Sequence, residues 1–120
     1  MLYNIYNEAI IDVVEVDPEM PSVSKKYFNF FTTSRLQLFV DDAFPYIQNT
    51  AKNYDVIIMD AYIGDEVPNS LTTTDFLLKI KMRLSPRGTF IANIMTWDKN
   101  YFENQMNKIS EVFQEIWMLP

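Results

Sequence analysis

The sequence contains no cysteine and no histidine. Without cysteine, the chain has neither a disulfide framework nor a thiolate metal site. Without histidine, it lacks the commonest metal ligand and general base. Any acid–base chemistry must therefore fall to carboxylates, lysine or tyrosine. Glycine is also scarce, and the two glycines, Gly64 and Gly88, leave little scope for a glycine-built phosphate loop.

Long hydrophobic runs and an excess of basic residues are missing as well. No apolar run approaches the roughly 20 residues of a membrane span, and the N-terminus lacks the basic start and apolar core of a signal peptide. We therefore expect a cytoplasmic protein. The net charge of −6 argues against nucleic-acid binding and favours neutral or cationic partners. With 120 residues, 48% of them hydrophobic, the chain suits one globular domain over residues 1–120.

Predicted strands and helices alternate along the chain. Residues 1–9 are typical of the end of a helix or a frayed start. Short apolar runs predict strands, and segments with one apolar face predict helices. The predicted strands cover residues 10–16, 35–40, 54–60, 89–95 and 113–119, and the predicted helices 21–28, 44–52, 75–84 and 100–112. This alternation, with short connections, predicts an α/β fold with a Rossmann-like, mostly parallel sheet and helices on both faces.

The strand that begins at Tyr54 is the centre of this prediction. Four apolar residues run between Asp55 and Asp60 without alternation, which is typical of a strand covered on both faces. Ligands of open α/β sheets bind beyond the carboxyl ends of the strands. Asp60 is therefore the first candidate for a functional residue.

Acidic residues follow three consecutive predicted strands. In doubly wound nucleotide-binding folds, an acid after the second strand accepts hydrogen bonds from ribose hydroxyls, because a carboxylate suits a vicinal diol. Glu15 fits that role, an acid one strand further on can accept a hydrogen bond from an adenine amino group, and Asp60 is left for the reacting end of the ligand. The acids are Glu15 and Asp17, Asp41 and Asp42, and Asp60.

Two other interpretations of these acids stay open. Acids at strand ends are commonly just solvated. A divalent metal held by oxygen ligands is the second alternative, and it is the weaker one. Its ligands would be Asp41, Asp42, Asp60 and Asp65.

Several aromatic residues are better explained by packing than by function. Tyr27, Phe28, Phe30 and Phe31 are predicted to pack in the core and in a turn. Trp97 follows a predicted strand, where it either lines a crevice mouth or is buried against a helix.

An ordered set of motifs resembles the spermidine synthase (polyamine aminopropyltransferase) family, whose catalytic domain has the class I S-adenosylmethionine-dependent methyltransferase fold. The resemblance runs from about Asn7 to Leu119. The motifs are Val13-Val14-Glu15-Val16-Asp17-Pro18-Glu19, Lys26-Tyr27-Phe28, Asp42-Ala43, Tyr54-Asp55-Val56-Ile57-Ile58-Met59-Asp60-Ala61, Leu71-Thr72-Thr73 and Leu84-Ser85-Pro86-Arg87-Gly88.

This resemblance implies a role for each matching acid. Glu15 is expected to hold the ribose of S-adenosylmethionine, decarboxylated S-adenosylmethionine or methylthioadenosine, and Asp42 with Ala43 to bind the adenine. Asp60 is expected to accept the proton of an attacking amine such as putrescine. The family chemistry implies no metal, since a base and anions that hold a cationic amine suffice.

The chain also departs from the family pattern. The family's glycine-rich cofactor loop and N-terminal β-hairpin domain would lie upstream of residue 1, so the chain is expected to be N-terminally truncated relative to the family. Position 41 carries Asp where the family usually has Gly. Ile63 occupies the place of a second, amine-holding aspartate, and Asp65 is the candidate substitute. The alternative to an enzyme is a catalytically inactive remnant that serves as a binding or oligomerisation domain.

A missing central strand has a structural consequence. It leaves neighbouring strands without backbone partners. We therefore expect either that residues 1–9 rearrange to fill the gap or that a second copy of the chain covers it, which makes a homo-oligomer the predicted state.

Overall fold

The computed structural model describes residues 2–62, 64 and 67–119. The chain divides into two compact units, Met1–Tyr46 and Ile47–Pro120. Each unit is an α/β arrangement and is described by itself. None of the described helices combines the length and the hydrophobicity that crossing a membrane requires.

The first unit contains two parallel strands and their connecting helix. Helix α1 is short, and residues 2–9 contribute no strand. Strands β1 and β2 pair in parallel from Ile11 with Leu36 to Glu15 with Val40. This unit consists of α1 (Leu2–Ile5), β1 (Ile11–Glu15), α2 (Met20–Phe28), β2 (Leu36–Val40) and the start of α3 (Ala43–Asn49).

Contacts from the side chains of β1, β2 and α3 stabilise the first unit. Leu36 is buried, and the rings of Phe39 and Tyr46 pack with centroids 5.1 Å apart. The Tyr46 hydroxyl donates to Asp12 Oδ2 across 3.2 Å. Arg35 Nη1 donates to the Ala9 carbonyl at 3.1 Å, which fastens the N-terminal segment to the start of β2. The parallel pairing of β1 with β2 brings their carboxyl ends to one edge of the unit.

The second unit repeats the parallel pairing. Strands β3 and β4 run in register from Val56 with Thr89 to Met59 with Ala92, and β4 bulges over residues 85–88. Residues 85–88 lie outside the predicted strand 89–95, so β4 begins earlier than predicted, at Leu84, and it ends at Ala92 instead of Met95. The elements are the end of α3, β3 (Tyr54–Met59), a 3₁₀ helix (Asn69–Thr72), α4 (Thr74–Arg83), β4 (Leu84–Ala92) and α5 (Lys99–Val112).

Helix α4 forms the centre of the core of the second unit. It begins at a capping residue, because Thr73 Oγ1 accepts a hydrogen bond from the Phe76 amide at 3.1 Å. Phe76, Leu77 and Ile80 are buried at the three- and four-residue spacing of one helical face. Lys81 Nζ donates to the carbonyl of Val112 at 2.6 Å and joins α4 to the end of α5.

The predicted α/β architecture with parallel strands is confirmed, but the predicted strand over residues 113–119 is wrong. These residues, all of them described, follow α5 as irregular chain. A strand needs a neighbour for its backbone hydrogen bonds. Phe113 instead stacks its ring on Phe90, with 5.7 Å between centroids, and Trp117 and Leu119 are exposed.

The prediction that β3 is covered on both faces is also wrong. Val56 and Ile58 are 51% and 50% exposed. Met59 and Phe90, on the opposite face, line a hollow together with Leu77 of α4 and residues of α5. Since side chains alternate along a strand, helices on one side leave the other set uncovered.

Aromatic residues predicted to pack are largely exposed. Tyr27 and Phe28 are 66% and 71% exposed, Phe31 is exposed, and only Phe30 is half-buried. Lys26 Nζ lies over the Tyr27 ring at 4.8 Å, a contact that forms at the surface. Trp97 is fully exposed, so of its two predicted placements the burial against a helix is wrong.

Candidate functional site at the strand ends

Glu15 is the last residue of β1 and is half-buried. Its Oε1 accepts a hydrogen bond from the Asp17 amide at 2.9 Å, and Asp17 Oδ1 accepts one from the Glu19 amide at 2.8 Å. These turns hold the Glu15 carboxylate at the carboxyl end of the strand. Beside it is a small hollow lined by residues that include Met20 and Phe30.

Asp42 lies directly before helix α3 and caps it. Its Oδ1 accepts a hydrogen bond from the Phe44 amide at 2.9 Å, which is the N-cap arrangement. The Asp41 amide donates to the Glu15 carbonyl at 3.0 Å. The structure thus brings Glu15 and Asp42, followed by half-buried Ala43, to one edge of the first unit, as the parallel pairing predicts. One oxygen of each carboxylate is held by a backbone amide, and the other is available as a further acceptor.

Asp60 lies in the second unit, directly after β3. Asn93 lies directly after β4, one step beyond the register pair Met59 and Ala92. Asn93 Nδ2 donates to Asp60 Oδ1 at 2.9 Å, and both residues are exposed. Asp60 therefore presents a carboxylate at the carboxyl end of its strand, where the sequence predicts it. That it faces the same ligand as Glu15 and Asp42 stays a prediction.

The sequence analysis missed two residues of this site, Tyr62 and Asn93. The Tyr62 hydroxyl donates to the Asn93 carbonyl and accepts from the Met95 amide, at 2.7 Å in each case. Asn93 lies inside the predicted strand 89–95, whereas β4 ends at Ala92. The signal that could have found Asn93 is a polar residue at the carboxyl end of the strand that pairs with β3. Using this signal requires the correct end of β4.

The remaining predicted site residue, Asp65, lies outside the described residues. Its proposed part in holding an amine therefore stays a prediction. Across residues 2–62, 64 and 67–119, no group of three or more acidic side chains is placed to hold a metal ion. The alternative of a metal on the strand-end acids gains no support from this part of the chain.

Parallel strand pairs with helical connections and acids at their carboxyl ends are typical of α/β proteins that bind a ligand beyond the strand ends. Comparison with known proteins identifies the family within this class. Residues 3–119 match the spermine/spermidine synthase domain family, and the chain belongs to that family. The family and fold that the sequence motifs resemble are therefore confirmed.

Individual relatives include both aminopropyltransferases and a methyltransferase. The polyamine aminopropyltransferase of Vibrio vulnificus (strain CMCP6) is 31% identical over 119 residues, which cover 97% of this chain and 40% of that protein. Human methyltransferase-like protein 13, solved in complex with SAH, superposes with a TM-score of 0.86 at 27% identity, covering 97% of this chain and 57% of that one.

A second solved structure is of the synthase type. A probable spermidine synthase from Corynebacterium glutamicum superposes with a TM-score of 0.84 at 28% identity, over 93% of this chain and 41% of that chain. The chain thus spans less than half the length of these two synthase relatives.

Proposed function

We propose that the chain is part of a transferase that binds an adenosyl sulfonium nucleotide and moves an aminopropyl or methyl group to an amine such as putrescine. The observation that carries the proposal is the Asp60 carboxylate, which stands exposed at the carboxyl end of β3 in a chain that matches the synthase family over residues 3–119. The donor is S-adenosylmethionine or decarboxylated S-adenosylmethionine. The relatives include both aminopropyltransferases and a methyltransferase. They therefore support the sulfonium donor that both reactions share more strongly than they support transfer of an aminopropyl or of a methyl group.

In the proposed reaction, the nitrogen lone pair of the amine attacks a carbon bound to the positively charged sulfur. A carbon–nitrogen bond forms, the carbon–sulfur bond breaks, and its electron pair neutralises the sulfur. Aminopropyl transfer releases methylthioadenosine, and methyl transfer from S-adenosylmethionine releases S-adenosylhomocysteine. The amine loses a proton in this step. Asp60 is assigned as the proton acceptor, because a general base must lie within hydrogen-bond reach of the amine, and the Asp60 carboxylate is exposed at the strand end.

The proposed nucleotide contacts are in the first unit. Glu15 is assigned to the ribose hydroxyls, because two carboxylate oxygens match a vicinal diol. Asp42 is assigned to the adenine amino group, with Ala43 beside it. The capping bond occupies Asp42 Oδ1, so its other oxygen is the proposed acceptor for the ligand.

Titration calorimetry with methylthioadenosine and S-adenosylmethionine tests this assignment. We expect saturable binding that Asp42→Ala weakens by roughly tenfold to a hundredfold, since a hydrogen bond to a charged group contributes about 1.5–3 kcal/mol. The same substitution removes a helix cap, which costs about 1 kcal/mol of stability.

Asp98→Ala is the matched control for that cost. Asp98 caps α5 in the same way, with its Oδ1 accepting from the Asn100 amide at 2.8 Å. We expect it to lower stability as much as Asp42→Ala does while leaving nucleotide affinity unchanged. Equal affinities for both variants and the wild type would remove Asp42 from the site.

The alternative function is an inactive domain for binding or oligomerisation, and uncovered strand edges favour it. Within the described part of the chain, β1 pairs only with β2, and β3 only with β4. Ile58 and its neighbour in register, Ile91, are 50% and 46% exposed. Open strand edges and contiguous apolar surface are typical of association sites.

A homo-oligomer is therefore our prediction for the isolated chain. Light scattering is expected to give a molar mass at least twice that of one chain, and Ile58→Lys is expected to shift it towards the monomer. Leu78→Lys is the control. Leu78 is about as exposed as Ile58, at 46%, but it lies on helix α4 and not on the strand pair. A stable wild-type monomer would contradict the prediction.

A further inference from the structure

Asn93 is anchored to β3 by its backbone and by its side chain. The Asn93 amide donates to the Met59 carbonyl at 2.9 Å, and Nδ2 donates to Asp60 Oδ1 at 2.9 Å. The first bond continues the parallel ladder one step past the end of β4. It fixes the position from which the side chain reaches the carboxylate.

Tyr62 fastens the same residue from the other side. Its hydroxyl donates to the Asn93 carbonyl and accepts from the Met95 amide, each at 2.7 Å. The hydroxyl of half-buried Tyr62 thus joins the segment after β3 to the segment after β4. All three groups of Asn93 that form hydrogen bonds here, its amide, its carbonyl and its Nδ2, are bonded to residues 59–62.

This arrangement restricts an otherwise exposed carboxylate. A solvated aspartate samples several rotamers, and ordering it during a reaction costs conformational entropy. A donor bound to Oδ1 turns the carboxylate in one direction and directs Oδ2 away from the amide. Groups held in advance in a productive geometry raise the rate of the chemical step.

We infer that Asn93 is a positioning residue, which holds Asp60 Oδ1 so that Oδ2 meets the acceptor amine, and that the Tyr62 hydroxyl keeps Asn93 in place. The inference deepens the proposed function and rests on it for its catalytic consequence. The hydrogen bonds themselves are testable without any activity.

The first test is nuclear magnetic resonance of the side-chain amide of Asn93, assigned by the loss of its signals in Asn93→Ala. We expect Asp60→Ala and Tyr62→Phe each to shift these signals. Asp55→Ala is the control, because Asp55 lies at the opposite end of β3, where it accepts from Ser85 Oγ at 2.7 Å. Signals that do not respond to Asp60→Ala would overturn the positioning role.

The second test is a double-mutant cycle on aminopropyl or methyl transfer to putrescine. We expect Asn93→Ala to lower kcat roughly tenfold to a hundredfold, with nucleotide affinity unchanged. In an Asp60→Ala background, the same substitution is expected to have no further effect, since coupled residues are not additive. An undiminished effect in that background would contradict the inference.

The two tests distinguish the proposed function from the positioning role of Asn93. A wild-type chain that binds no nucleotide and transfers nothing contradicts the proposed function, and the resonance shifts then decide on the Asn93–Asp60 contact alone. Shifts as expected, together with the disappearance of the Asn93→Ala effect in the Asp60→Ala background, would support both.

Discussion

Asp60→Asn is expected to lower the rate of transfer to putrescine by roughly 10²–10⁴-fold, the usual contribution of a general base. The substitution keeps the shape of the side chain and an oxygen for the Asn93 donor, which lies 2.9 Å from Oδ1 in the wild type. It removes the negative charge that accepts the proton. The loss should therefore appear in kcat, because the nucleotide contacts are assigned to other residues.

The measurement is the formation of methylthioadenosine or S-adenosylhomocysteine at saturating donor, with donor affinity determined separately by calorimetry. Asp55→Asn is the control for altering a carboxylate on β3, and it should keep nearly full activity. An Asp60→Asn variant as active as the wild type would exclude Asp60 as the proton acceptor. A large loss of donor affinity would place Asp60 in nucleotide binding instead.

Leu77→Ala is expected to lower the free energy of unfolding by about 2–5 kcal/mol, the range for truncating a buried leucine. Leu77 is 3% exposed and lies on the face of α4 that also buries Phe76 and Ile80. The cost combines lost hydrophobic transfer energy with the cavity that remains, since neighbouring side chains relax only in part.

Urea denaturation measures this difference, and the adjacent Leu78→Ala is its matched control. Leu78 is 46% exposed, so the same truncation should cost about 0.5 kcal/mol. Equal m-values would show that both variants unfold the same surface. Equal losses of stability for Leu77 and Leu78 would mean that α4 does not pack through the face described above.

The positions of the strand-end acids could be predicted from local sequence patterns. Glu15, Asp42 and Asp60 were predicted at the carboxyl ends of strands, and each lies there. Short runs rich in apolar residues, many of them β-branched or aromatic, predict a strand from its own composition. The residue that follows such a run is at the strand end whichever strand it pairs with. The ligand roles of these acids remain predictions.

The errors concern residues whose state depends on distant partners. Residues 113–119 have the composition of a strand, but a strand requires a neighbouring backbone. Val56 and Ile58 are apolar β-branched residues of the kind that a sheet buries. Burial would require helices packed on their face of the strand. Tyr27 and Phe28 fit an amphipathic helix in the same way, and both are exposed.

From the sequence alone, apart from the wrong strand over residues 113–119, we predict the order of β1–β4 and of α2–α5, the parallel α/β class and the likeness to the spermidine synthase family. These follow from hydrophobic periodicity and from motifs that are local in the chain. The register of β3 on β4 is seen only in the folded chain, and with it the bonds of Asn93 to Asp60 and of Tyr62 to Asn93. The physical reason is that a hydrogen bond between residues about thirty positions apart depends on strand pairing, which no local pattern encodes.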